Sequence, residues 1–307
     1  MFPIADGHCD FLYGMLHYGY HFDKPVRKQT IALDHLKKGN VKLQLFACWM
    51  DTTLKTPAVQ QCVELVDAYN RLLDENEALV AFDRSFDPDG DKIATVLTIE
   101  GGEAIEGSKA VLRVFKKLGV RAMSFTWNEA NELSGAAMAR QGKGLTTLGK
   151  EIVDEMTRLH MAIDVSHVSD AAIDDILSRT DMPIFATHSN ARGIFDSPRN
   201  LKDEHIAEIA RRGGTIGVNF YHRQLSSQKR ACIDDIVRHM MHLLEVGGIN
   251  VCAIGSDFDG MQVYPRDLAD PGDFPALMNA LKRQGLSDDE LYRIAYANLA
   301  DYIVQFV

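Results

Sequence analysis

The chain alternates short apolar runs with longer stretches of helical periodicity, and this alternation constrains its fold more than any single residue does. The apolar runs cover 3–8, 41–49, 94–100, 120–127, 161–167, 183–189, 215–220 and 251–258. Between them, segments 58–80, 110–119, 145–160, 169–180, 203–214 and 227–248 repeat apolar residues at the spacing of an amphipathic helix. A last helix is expected over 287–306, opened by Ser287 as N-cap with Glu290 three residues on. Runs rich in Val, Ile, Ala and Phe, without strict alternation, suit parallel strands covered by helices. Eight β-then-α units in 307 residues predict an α/β fold of the (β/α)8 TIM-like barrel type, one domain over 1–307. No glycine-rich turn follows the first run, which counts against a doubly wound dinucleotide-binding sheet.

Charge narrows the partners. A net charge of −10 speaks against nucleic acid and anionic membranes, both of which call for a basic surface. No apolar run approaches the roughly 20 residues that span a bilayer, and the first residues lack the basic and apolar regions of a signal peptide. The five cysteines (Cys9, Cys48, Cys62, Cys232, Cys252) are scattered and contain no CxxC pair. They read as small buried hydrophobes in a reducing compartment. The expectation is a cytoplasmic protein with a small-molecule substrate, and a homodimer is compatible with it.

The polar residues fall where a barrel does its chemistry, at the C-terminal ends of strands. The first run delivers His8 and Asp10, two residues apart and therefore on one face of an extended chain. Other runs end in Glu100, Trp127, His167, His188 and Asp257. Taken singly, each has a plain reading: His167 as a helix-entry or core histidine, Asp257 as interchangeable with Asp259. Taken together, His8, Asp10, Glu100, His167 and His188 form an N/O donor set without thiolate, suited to Zn²⁺, with Mn²⁺, Co²⁺ or Fe²⁺ as substitutes. Five ligands exceed the three of an ordinary catalytic zinc site. They fit two ions if Glu100 bridges, with a hydroxide held between ions about 3.5–4 Å apart. Asp257 is placed to move the proton.

The stretches "DGHCD", "IEGGE", "DVSHVSD", "ATHSNARGIFDSPRN" and "IGSDFDG", in this order over nearly the whole chain, resemble the membrane dipeptidase (renal dipeptidase) family of zinc metallopeptidases. The resemblance implies that His8 and Asp10 hold one zinc, Glu100 bridges both, and His167 with His188 hold the second. It implies that Asp257 is the catalytic acid/base and that Arg199 grips the free carboxylate of a dipeptide, a pairing that a guanidinium fork suits; Arg192 or Asn200 could share that contact. The implied reaction is hydrolysis of small unblocked dipeptides, including those with a D-residue at the C-terminal position. One departure stands out: after the fourth run the family carries a histidine that bonds the reacting carbonyl oxygen, and "FTWNEAN" has Trp127 there. The Trp127 indole, Asn128 or the metals alone remain as ways to meet the developing negative charge. Another amidohydrolase-type reaction (lactone, cyclic amide or phosphoester), or a catalytically impaired metal-binding relative, is the alternative.

Overall fold

Strands form where the apolar runs place them, with two instructive exceptions. The computed structural model describes all 307 residues, with β1 (Ile4–Asp6), β2 (Val41–Trp49), β3 (Leu79–Ala81), β4 (Ile93–Glu100), β5 (Val120–Ser124), β6 (Ala162–Asp164), β7 (Ile216–Val218) and β8 (Cys252–Ile254). Their ladders are parallel and run in the order β6-β5-β4-β2-β1-β8-β7, with β3 beside the start of β4. Residues 183–189 close the ring between β6 and β7. They make single bridges in place of a ladder: Val165 N–H donates to Phe185 O (2.8 Å), and Gly217 N–H donates to Ala186 O (2.8 Å). The result is the expected (β/α)8-type barrel, with one stave thinned to bridges.

The exceptions have local causes. The predicted 183–189 strand begins at Pro183, which has no N–H. At Thr187 it turns its amide and hydroxyl to the carboxylate of Asp164, which interrupts the pairing with β7 until Ser189 N–H donates to Gly217 O (2.7 Å). The predicted helix over 58–80 stops at Glu75, because Asn76 caps it by donating Nδ2–H to Leu72 O (2.7 Å), and Leu79–Ala81 then pairs with β4. The strand predicted over 120–127 ends at Ser124, so Trp127 lies in the following loop; the first run likewise ends at Asp6, and Asp10 takes the cap position of the helix Phe11–His17. The 227–248 helix begins only at Ile233. The last helix keeps its Ser287/Glu290 capping box but carries a π-helical turn at Arg293–Ala297.

Two apolar layers hold the barrel. The outer one lies between strands and helices and includes Cys9, Phe46, Ile99, Ile163 and Ile254. The inner one is built of small strand residues, Ala5, Ala94, Ala122, Ala162 and Ala253, with Leu43, Leu45 and Phe185. Against it pack Tyr296, Leu299, Tyr302, Ile303 and Phe306 of the C-terminal helical segment, at the end of the barrel away from the strand C-termini. Small interior residues leave room for this plug, and Tyr302 fixes it by donating its hydroxyl to Pro183 O (3.1 Å). The five cysteines are free and buried. No helix is long and apolar enough to cross a membrane.

Candidate metal centre

The five predicted ligands come together just beyond the strand ends. Glu100, the last residue of β4, is buried and its two oxygens face different partners. Oε1 lies 2.8 Å from His167 Nε2 and 3.4 Å from His188 Nε2, while Oε2 lies 3.3 Å from His8 Nε2. His8 Nε2 is also 3.5 Å from Asp10 Oδ2. Two overlapping groups, His8–Glu100–His188 and His8–Asp10–Asp257, each place their ligand atoms within 4.8 Å of one another.

Ring orientation follows from the neighbours. Thr187 Oγ1 donates to Asp164 Oδ2 (2.6 Å), so it accepts from His188 Nδ1–H at 2.9 Å. Asn128 Oδ1 accepts from His167 Nδ1–H at 3.1 Å. Both rings therefore turn an unprotonated Nε2 inward, and these two lone pairs approach to 2.8 Å beside a carboxylate oxygen. Such an arrangement repels itself unless a cation sits among the donors. Buried His8 Nε2 and Asp10 Oδ1 make no hydrogen bond within the protein, which leaves them free to ligate. The donor set thus fits divalent metal. Burial pushes the His167 imidazole down to about 4, with Arg199 adding to the effect, so the neutral ligand form is the stable one. Burial raises Glu100, but the charge of His8 opposes it, and the carboxylate is held well below its ordinary range.

Asp257 stands at the rim of this cluster. Asn219 Nδ2–H donates to its Oδ2 (3.0 Å), and Gly260 packs so closely on Asp10 Oδ2 and Asp257 Oδ1 that a Cβ there would collide with both. Burial pushes the Asp257 carboxyl up to about 8; His8 opposes this, and Asp10 and Glu100 reinforce it. A carboxyl that exchanges its proton near neutral pH suits proton transfer. Asp259, its sequence competitor, is spent elsewhere, accepting from Thr30 N–H (2.7 Å), Thr30 Oγ1–H (2.7 Å) and Ile31 N–H (3.1 Å). His167 and Asp257 both adopt left-handed backbone, φ 69° and 64°, a strained state for residues with a Cβ.

Arg199 is buried beside His188, donating to its carbonyl (3.2 Å) and, at 3.5 Å, to Ser189 Oγ, while its Nε has no partner. No carboxylate within the chain pairs with it, and burial lowers it to about 10. The alternatives are committed: Arg192 forms a fork on Asp170 (2.6 and 2.8 Å), and Asn200 donates to Phe195 O and Gln224 O. Trp127 packs edge-to-face on Trp49, with centroids 5.1 Å apart, and its ring is 6.4 Å from that of His167. Asn128 is committed to orienting His167. Sequence reasoning missed Asn219, in "GVNFY" over 217–221, and it missed Asp164 and Thr187 behind His188.

A family model described as membrane dipeptidase (peptidase family M19) matches residues 1–303. An uncharacterised dipeptidase of Schizosaccharomyces pombe is 32% identical over 97% of this chain and 79% of its own length. Among solved structures, dipeptidase AC, a metallopeptidase of family M19, is similar with a TM-score of 0.89 at 25% identity, covering 99% of this chain and 98% of that one. A metallopeptidase of Rhodobacter sphaeroides, solved with a phosphinate mimic of the dipeptide L-Ala-D-Ala, shares the fold with a TM-score of 0.90 at 24% identity, covering 100% and 99% of the two chains. The chain belongs to the membrane dipeptidase family of metallopeptidases.

Proposed function

We propose that the protein is a zinc-dependent dipeptidase whose two ions share Glu100, acting on small unblocked dipeptides. The observation that carries this reading is the division of labour at Glu100, with one oxygen toward His167 and His188 and the other toward His8. His8 and Asp10 would hold one ion and His167 with His188 the other; Mn²⁺, Co²⁺ and Fe²⁺ suit the same N/O donors. Bound divalent ions supply Lewis acidity at the scissile carbonyl and lower the pKa of water. Asp257 accepts a proton and returns it to the leaving amine, with Asn219 fixing its Oδ2.

Arg199 pairs with the substrate's terminal carboxylate, the one anion for which this buried guanidinium lacks a partner inside the chain. Recognition through the carboxylate does not read side-chain handedness, so a D-residue at the C-terminal position is accepted. Asn128 acts on His167, and Trp127 stands with Trp49 as an aromatic wall beside the centre, leaving charge stabilisation to the cations. Five free, buried thiols fit a reducing, cytoplasmic setting. A hydrolysis screen of L,L and L,D dipeptides on metal-replete protein, beside a chelated control, tests the reading. Turnover of both stereochemical classes, abolished by chelation, is expected; turnover that survives complete metal removal overturns it.

A further inference from the structure

Two buried carboxylates near the centre are neither ligands nor proton carriers in the reading above. Asp6 is the last residue of β1 and Asp164 the last of β6, and three of their hydrogen bonds correspond; Asp6 Oδ2 accepts a further one from Gln44 Nε2–H (3.2 Å). Each Oδ1 faces the N–H two residues on: His8 N–H at 3.5 Å from Asp6, Ser166 N–H at 2.8 Å from Asp164. Each then reaches across to a hydroxyl residue of the adjoining stave and accepts both of its donors. For Asp6 these are Ser256 N–H (2.8 Å) and Oγ–H (2.6 Å); for Asp164 they are Thr187 N–H (3.1 Å) and Oγ1–H (2.6 Å).

The residues so gripped are immediate neighbours of the working ones. Ser256 precedes Asp257, Thr187 precedes His188, and Ser166 precedes His167. Asp257 and His167 are the two left-handed residues of the site, so each strap anchors the peptide entering a strained turn. The carbonyl of Thr187 is also set: a Cβ on Gly7, Gly217 or Gly255 would collide with it. We propose that Asp6 and Asp164 are paired positioning residues that hold the site together from behind, with different duties. The Asp164 strap runs through Thr187 Oγ1 to the His188 ring and fixes its ligating nitrogen. The Asp6 strap ends on the backbone N–H of His8 and on the N–H and hydroxyl of Ser256, so it sets where His8 and Asp257 stand without touching their side chains.

This inference rests on the metal-centre reading, and Zn²⁺ binding measured by chelator competition separates the two. If the wild type binds no Zn²⁺, the metal-centre reading fails. If it binds, the Asp164 strap is tested with Thr187→Val, nearly isosteric, and Thr187→Ser, which restores the hydroxyl. Thr187→Val should weaken Zn²⁺ binding by about 10- to 100-fold and Thr187→Ser should recover most of it, the range typical for loss of an outer partner of a ligating histidine. Ser256→Ala should instead lower kcat with KM and Zn²⁺ affinity nearly unmoved. Equal Zn²⁺ affinity in wild type and Thr187→Val, both folded by circular dichroism, overturns the inference. So does a Ser256→Ala variant whose kcat matches wild type.

Discussion

The two ends of the barrel are built on opposite terms. At the plugged end, small alanines line the interior and Tyr302, Ile303 and Phe306 fill it, an apolar packing with few polar obligations. At the other end, His8, Glu100, His167, His188 and Arg199 are buried, and His167 and Asp257 sit in left-handed backbone. The first end contributes stability through burial. The second costs stability, since carboxylate, imidazole and guanidinium groups lose hydration there. The difference teaches where to look for function in such a fold: where buried polarity is concentrated and strain is held, not where packing is best.

Substitutions at the two ends should therefore separate activity from stability. The largest effect is expected at Asp257→Asn, which keeps size and removes the carboxylate proposed to accept the proton. Dipeptide turnover should fall by about 10²- to 10⁴-fold, the range for general acid–base groups, with the unfolding midpoint unchanged. Next comes the plug. Ile303→Ala, at a fully buried position, should lower the free energy of unfolding by about 2–5 kcal/mol in urea titrations while kcat per folded molecule stays at the wild-type value. Equal loss of kcat and stability at either site would break the contrast.

Smaller effects sharpen it. Arg199→Met removes the buried guanidinium that lacks a carboxylate partner and is proposed to hold the substrate carboxylate, and KM for dipeptides should rise by about 10- to 100-fold, the equivalent of about 1.5–3 kcal/mol for a charge-assisted hydrogen bond. A substrate amidated at its C-terminus should then lose its disadvantage against the free acid. Trp127→Phe keeps the packing on Trp49 and deletes the indole N–H. Its kcat should change by less than about tenfold, below the 10²–10³ that loss of an oxyanion donor costs.

Much of this was legible in the sequence, for a physical reason. A charged or imidazole side chain at the end of an apolar run is costly to bury without a partner, so His8, Glu100, His167, His188 and Asp257 announce themselves by position. Asp6 and Asp164 escaped because they close the runs "IAD" and "AID" and read as strand, although the same cost applies to them. The segment at 183–189 reads as a strand because its residues are apolar, and only the bonds of Thr187 to Asp164 show why its pairing is broken into single bridges. β3 was hidden because Leu79–Ala81 continue the helical spacing past Asn76, and only the cap bond shows the break. Arg199 follows from the family motif and not from spacing; that Arg192 does not share its contact shows only in the structure, where Asp170 already occupies it.

The central claim is that Glu100 serves two ions at once, and metal content titrated against activity tests it most directly. Protein stripped by chelator and reloaded with Zn²⁺ would be assayed for bound metal per chain and for dipeptide turnover at each step. The account predicts no turnover in the stripped protein, full turnover as content reaches two ions per chain, and loss of the second ion in Glu100→Gln. Full activity at one ion per chain, or activity in the stripped protein, would contradict it.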